Sequence, residues 1–282
     1  MMQTQRRFHQ VDVFASDGFS GNPVAVVHDA EGIDTDEMLR ITSWSNLSEV
    51  TFLLPPTTDE ADYRVRIFCP GRELPFAGHP TLGTCRAWLA GGGTPRQPQR
   101  IVQECGAGLV TVRRDQDRLA FAAPPLMRSG PVEPQLLADR LEQLGLRHED
   151  IVESAWVDNG PGWMALMLPS VEAVLAVAIP GDMLPGFDVG LVAAYPPGHE
   201  CALELRALFA DAVGRIREDP VTGSLNASVA QWLLGAERLE APYVASQGTA
   251  LGRRGRIHVS ESDGEIWVGG DTFVSIEGTI TC

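Results

Sequence analysis

Glu73-Leu74-Pro75-Phe76-Ala77-Gly78-His79 and Glu218-Asp219-Pro220-Val221-Thr222-Gly223-Ser224 are two copies of one phrase, Glu-x-Pro-x-x-Gly-[His/Ser], one in each half of the chain. Each copy runs into a stretch of small residues that ends in Trp-Leu, at Trp88-Leu89 and Trp232-Leu233. A turn that delivers Gly and a polar residue to a helix start leaves backbone N–H groups without acceptors, and such a terminus attracts anions. One such start per half predicts a duplicated chain that grips a small anion between two similar domains.

Length and composition agree with that picture. A chain of 282 residues is long for a single core, so two domains of similar size are expected. Ala122-Ala123-Pro124-Pro125 breaks the strand pattern and sets the domains at 1–123 and 124–282, with the last strand free to pack on the first domain. The net charge of −15 leaves no basic stripe for nucleic acid or an anionic membrane. The sequence contains no lysine, which excludes Schiff-base chemistry through lysine and a Walker-type phosphate loop.

Met1 to Gln10 is polar and basic, and the apolar stretch Val171 to Ile179 contains Glu172 and stops at Pro180-Gly181, so a soluble, cytoplasmic protein is expected. Cysteines 69, 85, 105, 201 and 282 are scattered without a Cys-x-x-Cys pair and read as free thiols. The six histidines lack metal-ligand spacing, so no metal is expected.

Gln10-Val11-Asp12-Val13-Phe14 and Tyr63 to Phe68 alternate as half-buried strands, and Val24 to Val27 and Val50 to Leu54 read as short buried ones. Helices are expected from Asp34 or Thr35 to Ser45 and from Pro80 to Ala90. Strands follow at Ile101 to Gln103, Gly108 to Arg113 and Leu119 to Ala122. The second half repeats the order, with a helix-like stretch Glu133 to Gly145, strands at Ala155 to Val157, Trp163 to Leu168 and Cys201 to Phe209, and a helix at Val171 to Val177. The second motif helix and strands at Arg256 to Ser260, Glu265 to Val268 and Asp271 to Ile276 complete it. Small residues on the two motif helices let a sheet curl closely around each.

Together with Gly21-Asn22-Pro23-Val24-Ala25-Val26-Val27, Leu47-Ser48-Glu49, Arg66-Ile67-Phe68, Pro80-Thr81 and Gln247-Gly248, the strand Gln10 to Phe14 and the two motifs resemble the family of the phenazine-biosynthesis isomerase PhzF, almost end to end and in family order. The resemblance implies an α+β, diaminopimelate epimerase-like fold of two pseudo-symmetric domains, each a curled, barrel-like sheet around a central helix. It also implies a site in the cleft, commonly a homodimer, and a role in phenazine or other antibiotic and secondary metabolism.

The chemistry the resemblance implies is a cofactor-free proton shift on a small unsaturated cyclic carboxylate, of the trans-2,3-dihydro-3-hydroxyanthranilate type or another secondary-metabolite intermediate. Glu49 matches the family's general acid/base, and one carboxyl group can take a proton from one carbon and return it to another if burial raises its pKa. Taken alone, Glu49 is an ordinary acid at a helix-to-strand junction. Gly78, His79, Gly223 and Ser224 would bind the substrate carboxylate. His79 is otherwise a cap ahead of Pro80, and Ser224 a cap of its own helix. Asp219 is expected to meet a substrate amine or hydroxyl, or else to fix its turn. Asn22 is either an Asx-turn residue or a polar contact in the cleft.

The wider fold includes epimerases and racemases that use a cysteine at each helix start, and Ala77 and Thr222 stand at those positions here. Glu104-Cys105-Gly106-Ala107-Gly108 superficially resembles the first cysteine motif but precedes the alternating strand Leu109 to Val112, so Cys105 reads as structural. An epimerase without the pair would need a second base, Asp219 or His79. A non-catalytic ligand-binding protein is the remaining class. Asp158-Asn159-Gly160-Pro161-Gly162-Trp163 and Gly252-Arg253-Arg254-Gly255 depart from the phenazine enzyme, which leaves the substrate open.

Overall fold

In the computed structural model, which describes residues 4–181, 184–211 and 213–282, the alternation at Gln10 to Phe14 becomes the inner half of a nine-residue strand. The elements of the first half are β1 (Gln5–Val13), β2 (Asn22–Val27), α1 (Thr35–Ser45), β3 (Val50–Leu54), β4 (Tyr63–Cys69), β5 (Arg72–Leu74), α2 (Gly78–Ala90), β6 (Arg100–Cys105), β7 (Gly108–Asp115) and β8 (Arg118–Ala122). Those that follow are β9 (Arg128–Gly130), α3 (Pro134–Gln143), β10 (Glu153–Asp158), β11 (Met164–Met167), α4 (Val171–Ala176), β12 (Asp188–Ala194) and β13 (Leu203–Ala210). The chain closes with β14 (Ile216–Asp219), α5 (Gly223–Gly235), β15 (Tyr243–Gln247), β16 (Gly255–Ser262), β17 (Glu265–Gly270) and β18 (Thr272–Thr281). It divides into two compact units, Met1–Ala122 with Gly269–Cys282, and Ala123–Val268.

In the first unit β1 pairs antiparallel with β18 on one side and β2 on the other; β2–β3 is parallel, β3–β4 antiparallel, β4–β6 parallel and β6–β7–β8 antiparallel. In the second, β10–β11 is antiparallel, β11–β12 parallel, β12–β13 antiparallel, β13–β15 parallel and β15–β16 antiparallel. The same alternation of hands, with a helix at the same step and a short hairpin strand (β5, β14) before each motif helix, is the internal repeat in three dimensions.

The sheet of the first unit curls around α2, which packs against β1, β2, β3, β6, β8 and β18. Such enclosure leaves no polar face, and Gly78 through Cys85 are all buried. Close approach requires small residues: a Cβ on Gly83 would lie 2.2 Å from Val24 Cγ1 and 3.1 Å from Val13 Cγ2. In the second unit α5 packs on β10 and β16 and buries Leu225 through Ala230. Both motif helices are thus centres of curled sheets, as the small-residue pattern requires.

Three sequence expectations change. The Glu-x of each motif is the end of a strand, β5 or β14, rather than part of a turn, because the hairpin ladder reaches Leu74 and Asp219. The strands β12 and β15 are additional. Helix α2 begins two residues before Pro80, since proline in the first turn sacrifices only an N–H that has no helical acceptor.

Candidate active site

Helix α1 opens on Asp34, whose carboxylate accepts from the Glu37 backbone N–H at 2.8 Å, and closes on Asn46 in the left-handed conformation at φ 57°. That stop delivers Glu49 to the residue before β3, a strand paired on both sides. Val50 and Phe52 are fully buried, and the Glu49 side chain is 17% exposed. Its charge, behind burial, helps raise the pKa of the neighbouring Cys69 thiol.

Ala77 is the N-cap of α2, so Gly78 and His79 are its first two residues and the imidazole is not a cap. Its two ring nitrogens face different partners: Nε2 lies 3.3 Å from Glu49 Oε2, and Nδ1 lies 3.4 Å from Asn22 Nδ2. An amide nitrogen only donates, which makes Nδ1 the acceptor and leaves the proton of the neutral ring on Nε2. Burial lowers the His79 pKa to about 3, so the ring is neutral at ordinary pH. Asn22 donates to His79, while Nε2 and Glu49 Oε2 approach to 3.3 Å without hydrogen-bond alignment.

Asn22, buried at the start of β2, is placed by the loop before it. The Asp12 carboxylate accepts from the backbone N–H groups of Ser20 at 2.8 Å and Gly21 at 3.1 Å. A Cβ on Gly21 would stand 2.1 Å from the Val13 carbonyl oxygen, so only glycine allows this turn into β2. Asp12 lies in the alternating strand Gln10 to Phe14, where sequence alone marks no role for it.

The second unit assembles Asp219, Gly223 and Ser224 around Thr222, the N-cap of α5. Thr222 donates its hydroxyl to Asp219 Oδ2 at 2.5 Å. Ser224 is the second helical residue and caps nothing: its Oγ accepts from Trp163 Nε1 at 3.0 Å, and its carbonyl from Asn159 Nδ2 at 2.9 Å. The loop Asp158 to Trp163 therefore supports this helix start, tightened by Asp158 accepting from Gly160 and Gly162, both at 2.7 Å.

The motif glutamates do not join either group. Glu73 takes a bidentate pair from Arg66 (2.8 and 2.6 Å), and Glu218 takes one from Arg206 (3.1 and 2.8 Å), each across its own hairpin. Arg66-Ile67-Phe68 was legible as a motif, but its partner was not. Cys105 ends β6, with Sγ 3.6 Å from the Gly108 carbonyl and its pKa raised by burial, far from the geometry of a helix-opening thiol. Among the described residues no three His, Cys, Asp or Glu side chains are grouped to hold a metal ion, and no helix is long and apolar enough to cross a membrane.

The family model described as phenazine biosynthesis-like protein, PhzC-PhzF, matches residues 11–279. Antisense-enhancing sequence 1 of Schizosaccharomyces pombe is 32% identical, over 98% of each chain. The trans-2,3-dihydro-3-hydroxyanthranilate isomerase of Pseudomonas aeruginosa is 32% identical, over 92% of each. Among solved structures, a predicted epimerase from Pseudomonas aeruginosa superimposes with a TM-score of 0.79 at 27% identity, covering 98% of this chain and 99% of that one.

Proposed function

The chain belongs to the phenazine biosynthesis-like PhzC-PhzF family, has its diaminopimelate epimerase-like fold and is an isomerase, and from that premise we propose that it moves one proton between carbons of a small unsaturated cyclic carboxylate, with Glu49 as the single acid/base. The observation that carries the reading is the Glu49–His79 contact at 3.3 Å in a chain whose two helix N-caps are Ala77 and Thr222. Neither cap can exchange a proton with carbon, whereas a carboxylate beside an apolar strand can.

Backbone N–H groups of Gly78 and His79, the first two of α2, have no helical acceptor and suit the substrate carboxylate. Glu49 removes a proton from carbon, the C–H electron pair moves into the conjugated system toward that carboxylate, and the aimed donors stabilise the enolate-like charge. Delivery of a proton from the Glu49 carboxyl, which exchanges with solvent, to another carbon restores the carboxylate and shifts the double bond, with no net oxidation. The neutral imidazole of His79, 3.3 Å away, bounds the space open to the Glu49 carboxyl. The name of the Pseudomonas aeruginosa relative supports trans-2,3-dihydro-3-hydroxyanthranilate or a close analogue as substrate class.

The reading is tested by incubating the protein with trans-2,3-dihydro-3-hydroxyanthranilate in deuterated water and following product by NMR. A shifted double bond, with deuterium only at the newly protonated carbon, supports it. Deuterium at an inverted stereocentre without a double-bond shift would establish an epimerase instead.

A further inference from the structure

Gln247, at the end of β15 and fully buried, reaches into the second copy of the repeated phrase with all of its hydrogen-bonding groups. Its Oε1 accepts from the Thr222 backbone N–H at 3.0 Å and from Asn226 Nδ2 at 2.7 Å. Its Nε2 donates to the Asp219 carbonyl at 3.1 Å and to Thr222 Oγ1 at 2.9 Å. Two of these partners are backbone groups of fixed polarity, one donor and one acceptor, so the amide has a single orientation.

That orientation settles the next bond. Because Gln247 donates to Thr222 Oγ1 and offers it no acceptor, the one hydroxyl proton of Thr222 goes to Asp219 Oδ2. The 2.5 Å separation falls in the range of a charge-assisted O–H to carboxylate bond. Asn226 locks the same turn by donating also to the Thr222 carbonyl at 2.9 Å. Polarity runs from Gln247 through Thr222 and ends on an acceptor.

The first unit lacks this relay. Gly106 and Gly248 are matched, since a Cβ on either would press on the motif proline, 2.8 Å from Pro75 Cα or 2.7 Å from the Pro220 carbonyl oxygen. Cys105 precedes one and Gln247 the other, and Ala77, opposite Thr222 in the repeat, has no hydroxyl. The relay is an asymmetric addition to a symmetric frame.

We infer that Gln247 and Thr222 are positioning residues that hold Asp219 as a hydrogen-bond acceptor, so that the ligand group it meets is a donor, an ammonium, amine or hydroxyl, and Asp219 is not a second proton carrier. The inference rests on the reading of the site as one for a carboxylate substrate. A hydrogen bond donated to a carboxylate favours its charged form, which suits a binding group and opposes the protonated state an epimerase acid would need.

Thr222→Val removes the hydroxyl at nearly constant volume, where the wild-type side chain caps nothing, and Thr222→Ser returns it. In ligand-free protein, carbon-13 NMR titration of the Asp219 carboxyl is expected to show its pKa about one unit higher in Thr222→Val than in wild type, with Thr222→Ser restoring it. An unchanged value overturns the relay. Binding is then read with anthranilate and benzoate, which differ by the amine. Wild type and Thr222→Ser are expected to prefer anthranilate by about tenfold, and Thr222→Val to lose that preference without weaker benzoate binding. Equal discrimination in Thr222→Val, or none in wild type, overturns the assignment of the ligand group. If wild type binds neither probe, the carboxylate reading fails, and the titration alone still decides the relay.

Discussion

His79 Nε2 and Glu49 Oε2 stand 3.3 Å apart, while Asn22 donates to the other nitrogen of the ring. The contact joins the first turn of α2 to the leading end of β3, so it ties the helix the sheet curls around to the strand that carries the carboxyl. A charged His79 would make the pair an ordinary salt bridge; burial keeps the ring neutral instead.

That state of His79 has a signature in stability. Its folded pKa, about 3, is below the unfolded value of 6.5, so between those pH values the unfolded chain takes up a proton that the folded one refuses. The contribution is present above pH 6.5 and is lost as the pH falls toward 3, at about 1.4 kcal/mol per pH unit. Buried His28, lowered to about 4, adds a slope of the same sign, so denaturant melts between pH 7 and 4.5 are expected to steepen accordingly and His79→Gln to remove the part due to His79. An equal slope in the variant would show that the group is not buried neutral.

The two motif glutamates make the same ion pair in different settings. Arg206 and Glu218 are 4% and 1% exposed, and Arg206 also donates to the Val174 and Val177 carbonyls at 3.0 and 2.6 Å. Arg206→Met leaves a buried carboxylate without its partner and is expected to cost about 3–5 kcal/mol. Arg66 and Glu73 are 28% and 40% exposed, and Arg66→Met is expected to cost about 1 kcal/mol or less. Adding Glu218→Leu to Arg206→Met is expected to recover part of the loss, which equilibrium unfolding of the three variants against wild type measures.

Gly83 marks where α2 and the sheet meet. Gly83→Ala gains about 1 kcal/mol of helix propensity but forces a methyl into Val24 and Val13, at about 1–3 kcal/mol. Net destabilisation is expected, and Val24→Ala in the same chain is expected to relieve part of it. Additive losses in the double variant would contradict close packing at this point.

The fold was legible because the repeat, the alternation at Gln10 to Phe14 and Tyr63 to Phe68, and the small-residue helices each report a local constraint. The short polar strands β5 and β14 were not, since a three- or four-residue hairpin arm has too little period to read. Glu49 was marked by its Leu47-Ser48-Glu49 context, but the Asn22–His79 bond joins positions 57 apart, and only the tertiary structure brings them together. The role of Gln247 is not readable in its Gln-Gly motif, because its four hydrogen bonds go to Asp219 in β14 and to Thr222 and Asn226 at the start of α5.

The central claim is that one carboxyl, Glu49, carries the proton. Glu49→Gln keeps the shape and the contact with His79 but cannot accept a proton from carbon. With trans-2,3-dihydro-3-hydroxyanthranilate in deuterated water, the variant is expected to bind and to lose isomerisation and deuterium uptake by at least about 100-fold. Turnover and deuterium uptake at the wild-type rate in Glu49→Gln would contradict the claim.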